Sequence, residues 1–334
     1  MTEIEKLIEK CGLGDIIGEA VPVSGGFMHK MYKVKTSLGT YAVKCLNPEV
    51  MKRPGAMENF ARAESLESVL ENEGLPVVAA IYFDEKKMVE LDGGYFYVFK
   101  WQEGKITDWN LISEYKCYMA GEILGKIHKI DSKKAECQEI SLNETDFDKY
   151  LKDSEGTEIY PLLSDNLALI KNAQKKLNDA RKNLPPISAI INDDMDPKNV
   201  MWHNDSPYII DLECLEYGNP VYSCLNLSLQ WSGTVTGKFK KKKLKSFFEG
   251  YLTAYNNGFK EYDKLFGIAY SWVEWLEYNI RRALGMEGND PESIRLGAEE
   301  VKNTIGRIKY LDSVEKNICR TLKSIFRKKL FKRG

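Results

Sequence analysis

The segment from Ile191 to Glu213, INDDMDPKNVMWHNDSPYIIDLE, gathers carboxylates and an amide around one short hairpin pattern. Val200–Trp202 is apolar and reads as a strand. His203 to Pro207 is turn chemistry, rich in Asn, Asp, Ser and Pro, and Tyr208–Ile210 reads as the returning strand. A hairpin brings its open ends together, so Asn199 and Asp211 are expected to be neighbours, with Asp194 upstream on the feeding loop. An amide oxygen and a carboxylate on a rigid hairpin, with a second carboxylate close by, suit a hard cation such as Mg²⁺ and the phosphate it carries.

An Asp followed five residues later by Asn, with a further Asp soon after, resembles the catalytic loop and metal-binding Asp of the protein-kinase-like fold. More closely, Asn192-Asp193-Asp194-Met195-Asp196-Pro197-Lys198-Asn199 and Ile210-Asp211-Leu212-Glu213 are similar to the aminoglycoside phosphotransferase and choline-kinase-like family. That family's pattern is His-Gly-Asp-Leu-His-Pro-x-Asn, then Ile-Asp-(aromatic)-Glu. Asn192, Asp193 and Asp196 depart from it, and Asn keeps the ability to donate and accept that the first His uses to hold the loop. The resemblance implies an α+β, two-lobed fold. Residues 1–100 would form a nucleotide-clamping lobe, a five-stranded antiparallel sheet with one helix, and residues 101–334 a mainly helical catalytic and substrate-binding lobe. It further implies Asp194 as catalytic base, Asn199 and Asp211 as Mg²⁺ ligands, and ATP or GTP as phosphate donor.

The elements that must position these groups can be read in turn. A short helix is predicted over Ile4–Cys11, followed by strands at Ala20–Val23, Met31–Lys35 and Tyr41–Leu46. Between the first two strands, Ser24, Gly25 and Gly26 form a turn able to lay backbone N–H groups over phosphates. Lys44, in Ala-Val-Lys on the third strand, stands where the resemblance places the lysine for the α/β-phosphates. Apolar spacing predicts a helix over Met57–Glu71, and Glu64 at the edge of its stripe is the partner the resemblance implies for Lys44, with Glu67 and Glu71 as rivals. Val77–Phe83, Met88–Leu91 and Tyr95–Phe99 read as further strands. Phe99 and Trp101 lie in a segment similar to the family's interlobe linker, whose backbone would bond adenine.

The remainder is predicted to be helical, with segments near Ser113–Ile130, Asp146–Tyr150, Ile159–Lys182, Ser223–Gln230, Leu244–Asn256, Tyr262–Leu284 and Pro291–Phe326. Gly121 to His128 resembles the family's Gly-x-x-Leu-(Ala/Gly)-x-Leu-His helix, and His128 reads as structural. Asp193, Asp196, Glu213, Glu216, Trp272, Glu274, Trp275, Glu277 and Tyr278 are candidates to line an acceptor site. Glutamates and aromatics together can hold a cation, and the alternative is tryptophans in the core with glutamates facing water.

Composition narrows the function classes. A net charge of −1 gives no reason to expect nucleic acid, and no 18-residue apolar run predicts a membrane span. Seven scattered cysteines without a CxxC pair read as reduced thiols of a cytoplasmic protein, and with three histidines they argue against zinc. The Lys240–Lys243 run and the basic tail from Arg320 to Gly334 read as solvated faces, with an anionic membrane surface as the alternative. The expected activity is transfer of the γ-phosphate to a hydroxyl of a small molecule, with an amine-bearing, aminoglycoside-like acceptor favoured. The alternatives are a kinase of choline, a sugar or an amino-acid alcohol, and a non-catalytic nucleotide-binding relative of spore-coat type. Oligomeric state is not legible in the sequence.

Overall fold

The computed structural model describes residues 2–23, 29–134, 141–288 and 290–327. The chain divides into two compact units, Met1–Thr107 with Lys198–Glu216, and Asp108–Pro197 with Tyr217–Gly334.

The first unit opens on α1 (Glu3–Lys10), started by a capping box in which Thr2 and Glu5 bond each other's backbone amides. Then come β1 (Val21–Val23), β2 (Lys30–Thr36), β3 (Gly39–Cys45), α2 (Pro48–Met51), α3 (Ala56–Asn72), β4 (Val89–Leu91), β5 (Gly94–Lys100) and β6 (Lys105–Ile106). The first five strands form one sheet in the order β1-β2-β3-β5-β4, every neighbouring pair antiparallel. Alternation along the strands builds two cores. Val43, Phe96 and Val98 pack with Leu7 and Ile8 of α1. Tyr97, from the opposite face of β5, packs with Phe60 of α3 and with Ala80. Lys44 lies opposite Tyr97 in the β3–β5 register, which turns it to the α3 side of the sheet.

Val77–Phe83 is not the strand its apolar run predicts. It touches the sheet only through isolated bridges such as Ala80 to Phe99. One amide, Ile81 N–H, donates to Val98 O of β5 at 2.8 Å; Ala80 N–H donates to Glu67 Oε1 at 2.9 Å, and Phe83 closes a turn with Lys86.

In the second unit α4 (Glu114–Ile130) is followed by β7 (Lys133–Lys134), α5 (Phe147–Asp153), α6 (Tyr160–Lys182) and β8 (Ile187–Asn192), the last pairing antiparallel with β7. The chain then returns to the first unit as the hairpin β9 (Val200–His203) and β10 (Ser206–Ile209). The hairpin register pairs His203 with Ser206, so the turn is only Asn204-Asp205, both at positive φ (48° and 64°). Asn and Asp tolerate that region better than other side chains, as a two-residue primed turn requires. The hairpin is tied to the Pro76–Val78 segment by Val78 N–H to Ile209 O (2.9 Å) and Ile209 N–H to Pro76 O (2.7 Å).

After β11 (Leu215–Gly218) the second unit resumes with α7 (Pro220–Trp231), α8 (Lys241–Ala254), a 3-10 stretch over Tyr262–Ser271, α9 (Trp272–Ala283) and α10 (Pro291–Arg327). The single helix predicted over Tyr262–Leu284 is thus two elements. Gly267, inside the first, presses on α6, where an added Cβ would meet the Lys176 carbonyl oxygen at 2.1 Å. α4 and α8 cross through glycines: a Cβ on Gly121 would lie 2.0 Å from Phe247 O, and one on Gly250 2.0 Å from Tyr118 O. No helix among the described residues is long and apolar enough to cross a membrane. The tail beyond Arg327 lies outside the described residues.

Candidate active site

The predicted open end of the hairpin forms as expected. Ile210 N–H donates to Asn199 O at 3.0 Å, which sets Asn199 beside the residue preceding Asp211. Asn199 is buried, its backbone entering β9 from a 3-10 turn over Pro197–Asn199. Asp211 is held at φ 59°, an uncommon conformation for a side chain with Cβ, and is part-exposed.

Lys44 meets this end of the hairpin. Its Nζ lies 2.9 Å from Asp211 Oδ1 and 2.5 Å from Glu213 Oε1. Burial alone would lower the ammonium's pKa, but the two carboxylates outweigh it and hold the pKa above the ordinary lysine value. Glu64 is not the partner of Lys44. Its carboxylate accepts the Tyr97 hydroxyl at 2.6 Å, a bond offered by the residue directly across the sheet from Lys44. Glu67, the rival, accepts from the fully buried Lys87 at 2.6 Å. Glu64 still lines a small cavity together with Lys44, Phe99, Tyr97, Asp211 and Glu213.

Glu213 therefore stands with Lys44 and Asp211. Its Oε2 lies 3.3 Å from His29 Nε2. Burial would raise its pKa, and the His29 hydrogen bond and the Lys44 charge outweigh that and hold the carboxyl below its usual range. Trp101 turns away from the small cavity's lining: Lys33 Nζ lies 4.0 Å from its ring centre and its Nε1–H donates to Glu103. Ser24, Gly25 and Gly26 lie outside the described residues.

In the second unit, β8 ends at Asn192, fully buried, whose Oδ1 accepts the Asp194 amide at 3.3 Å. Asn192 thus holds the loop through its side-chain oxygen. Met195 O accepts the indole N–H of buried Trp231 at 2.9 Å, tying the same loop to α7. Asp194 and Asp193 are half-buried and Asp196 is buried.

A cavity of about 430 Å³ opens in this unit, lined by Asn143, Thr145, Asp146, Tyr150, Glu274 and Glu277 among others. α9 turns its two glutamates to this cavity and its tryptophans elsewhere. Arg181 clamps Glu274 with two bonds of 2.8 and 3.0 Å, and Glu277 accepts from Thr145 and Tyr150. Trp272 lies under the Arg307 guanidinium and Trp275 donates to Glu300, both partners on α10, while Trp275 stacks on Tyr278. Glu216 is exposed on β11. Tyr222 on α7 links the cavity wall to the loop. Burial pushes its hydroxyl up to about 12, and it feels the charges of Arg181, Glu274 and Asp193.

A family model described as a phosphotransferase enzyme family matches residues 19–265, which span every strand, the Asp193–Glu213 segment and most of the helices, and stop short of α9 with Glu274 and Glu277. The chain belongs to this phosphotransferase family. No curated protein sequence matches it significantly. Solved structures resemble it over nearly its whole length. A spectinomycin phosphotransferase in complex with ADP and spectinomycin has 15% identity and TM-score 0.66, with 92% of this chain and 97% of that one covered. A microcompartment-associated aminopropanol kinase has 14% identity and TM-score 0.59, with 93% and 98% covered. Choline kinase from Cryptosporidium parvum Iowa II has 11% identity and TM-score 0.54, with 96% and 99% covered. The fold is the α+β, protein-kinase-like fold. His29, beside Glu213, and Tyr97, bonded to Glu64, are the residues of this cluster that sequence reasoning missed. The pairing of Tyr97 with Lys44 across two antiparallel strands was a signal that could have found the tyrosine.

Proposed function

We propose that this phosphotransferase moves the γ-phosphate of a nucleoside triphosphate to a hydroxyl of a small amine-bearing molecule. The observation that carries the reading is the meeting of Lys44 with Asp211, at 2.9 Å and 167 positions apart, beside the Asn199 end of the hairpin. An ammonium for phosphate oxygens and a carboxylate–amide pair for a divalent cation then stand at one point.

Among the described residues no group of three or more His, Cys, Asp or Glu side chains is poised to cage a metal. Mg²⁺ does not need one, since it is commonly held by one or two protein oxygens plus substrate phosphates and water. The donors at Asn199 and Asp211 are hard oxygens, and Asp211 already attracts a cation, so the pair fits. When bound, Mg²⁺ would offset the negative charge of the phosphates. Lys44 binds α/β-phosphate oxygens in this reading. Asp194, its loop fixed by Asn192 and Trp231, orients the acceptor hydroxyl and takes its proton late.

The acceptor is assigned to the cavity of about 430 Å³, whose volume lies in the range that encloses drug-sized ligands. That size favours an aminoglycoside-like molecule over an amino alcohol of choline's size. With Glu274 offset by Arg181, the remaining carboxylates Glu144, Asp146 and Glu277 favour a cationic nitrogen, a group that spectinomycin, aminopropanol and choline all carry. The test is nucleotide consumption with Mg²⁺ across a panel of aminoglycosides, aminocyclitols, amino alcohols and neutral sugars. Turnover dependent on an amine-bearing acceptor is expected, and turnover with neutral sugars alone would overturn the acceptor assignment.

A further inference from the structure

We propose that His29 and Glu213 together anchor Lys44 for the nucleotide phosphates, filling the place a glutamate on α3 would otherwise take; this rests on the phosphotransferase reading of the same site. The α3 carboxylates are committed elsewhere, Glu64 to the Tyr97 hydroxyl and Glu67 to Lys87 and the Ala80 amide. Glu213 is the carboxylate that remains with Lys44 once Asp211 is engaged by a cation. It is itself fixed from behind by His29 at 3.3 Å.

The imidazole is built to donate. Asn47 N–H points at His29 Nδ1 at 2.9 Å, so that nitrogen must carry a lone pair and the ring proton sits on Nε2, facing Glu213. Asn47 is itself rigid, since its side chain caps α2 by accepting the Glu49 amide at 2.9 Å. It follows β3 by two residues, so the strand carrying Lys44 and the support of His29 are one piece of backbone. His29 also stands directly before β2, and through Glu213 it joins the start of that strand to the hairpin. Removing the imidazole frees Glu213 to swing from Lys44 and leaves the ammonium to Asp211 alone. Nucleotide binding should suffer, and acceptor binding should not.

The roles of the two ring nitrogens can be separated by substitution. In His29→Gln the amide nitrogen reaches about where Nε2 was and can donate to Glu213. In His29→Asn the side chain reaches only the Nδ1 position and can serve only the Asn47 amide. Calorimetric binding of Mg·ADP without acceptor is measured for the parent, His29→Ala, His29→Asn and His29→Gln, each checked for fold by circular dichroism. His29→Ala and His29→Asn are expected to weaken binding about tenfold or more, the scale of one hydrogen bond to a charged group. His29→Gln is expected to restore it to within a few-fold, with acceptor KM constant throughout. Rescue by Asn and not by Gln, or parent-like binding in His29→Ala, overturns the anchor. A parent that fails to bind Mg·ADP sinks the phosphotransferase reading and the anchor with it. Nitrogen-15 spectra of the His29 ring give a nucleotide-free check: a protonated Nε2 and bare Nδ1 are expected, and the reverse tautomer overturns the anchor whatever the binding data show.

Discussion

Acidification should weaken the folded state through His128, by an amount its surroundings set. The ring is fully buried on α4, with Nδ1 2.8 Å from the Tyr251 hydroxyl and with Tyr251 and Tyr255 edge-on to it. Among the described residues no cation-stabilising carboxylate is bonded to it, and burial pushes its pKa from 6.5 down to about 3. In the unfolded chain the imidazole takes up a proton below pH 6.5 that the folded chain refuses until about pH 3, so stability falls as pH falls through that window. At about 1.4 kcal/mol per pH unit the full interval is worth on the order of 5 kcal/mol, and about 2 kcal/mol is lost by pH 5. Other titrating groups contribute too, so the comparison is with His128→Asn, which keeps an amide at the Nδ1 position for Tyr251 and does not titrate. Urea unfolding followed by circular dichroism at pH 8 and pH 5 is run on both. The parent should lose about 2 kcal/mol more than the variant between the two pH values. Equal losses would refute the assignment of a buried, neutral His128.

Glu67→Gln should cost about 3–5 kcal/mol in urea unfolding, because it strips the close carboxylate from the fully buried Lys87. A cost below about 1 kcal/mol would mean that Glu71, 3.8 Å away, suffices. Gly121→Ala should cost about 1–3 kcal/mol or more, since the new methyl would meet Phe247 O at 2.0 Å and force α4 from α8. Gly306→Ala is the matched case: nothing lies within 4 Å of its Cβ position on α10, so that change should stabilise by up to about 1 kcal/mol. A similar thermal-midpoint shift in both glycine variants would contradict the helix crossing.

The sequence made the hairpin plain because its ends are fixed by local chemistry. Apolar strand residues, an Asn-Asp turn and two flanking ligand-type side chains leave little freedom. Helix positions followed apolar spacing in the same way for α3 and α4, and α6 and α10 lie close to the helical segments expected there. Pairings were harder to read. Glu64 is on the inward edge of α3, as the stripe indicated, yet Tyr97 offers it a hydroxyl and Glu213 outcompetes it for Lys44. Periodicity places a side chain on a face, but the choice between two acceptors depends on distances set by remote segments. The same limit applies on α9, where spacing separated Glu274 and Glu277 from Trp272 and Trp275 but not which pair faces the cavity and which faces α10. Val77–Phe83 misled for a third reason. Its run is apolar enough for a strand, but after the one bond from Ile81 N–H to Val98 O the chain turns back at Phe83 to Lys86, and β4 takes the rest of that edge of β5.

Phosphoryl transfer with Asp194 as the base is tested most directly by Asp194→Asn. The substitution keeps the side chain's shape and the backbone bonds to Asn192 and Trp231, and removes the charge and one accepting oxygen. Steady-state kinetics are measured with whichever acceptor the panel identifies, alongside Mg·nucleotide binding. Binding should be retained and kcat should fall about 10²-fold or more, the scale of a lost general base. A variant whose kcat stays within a few-fold of the parent would contradict the role given to Asp194 and the transfer chemistry built on it.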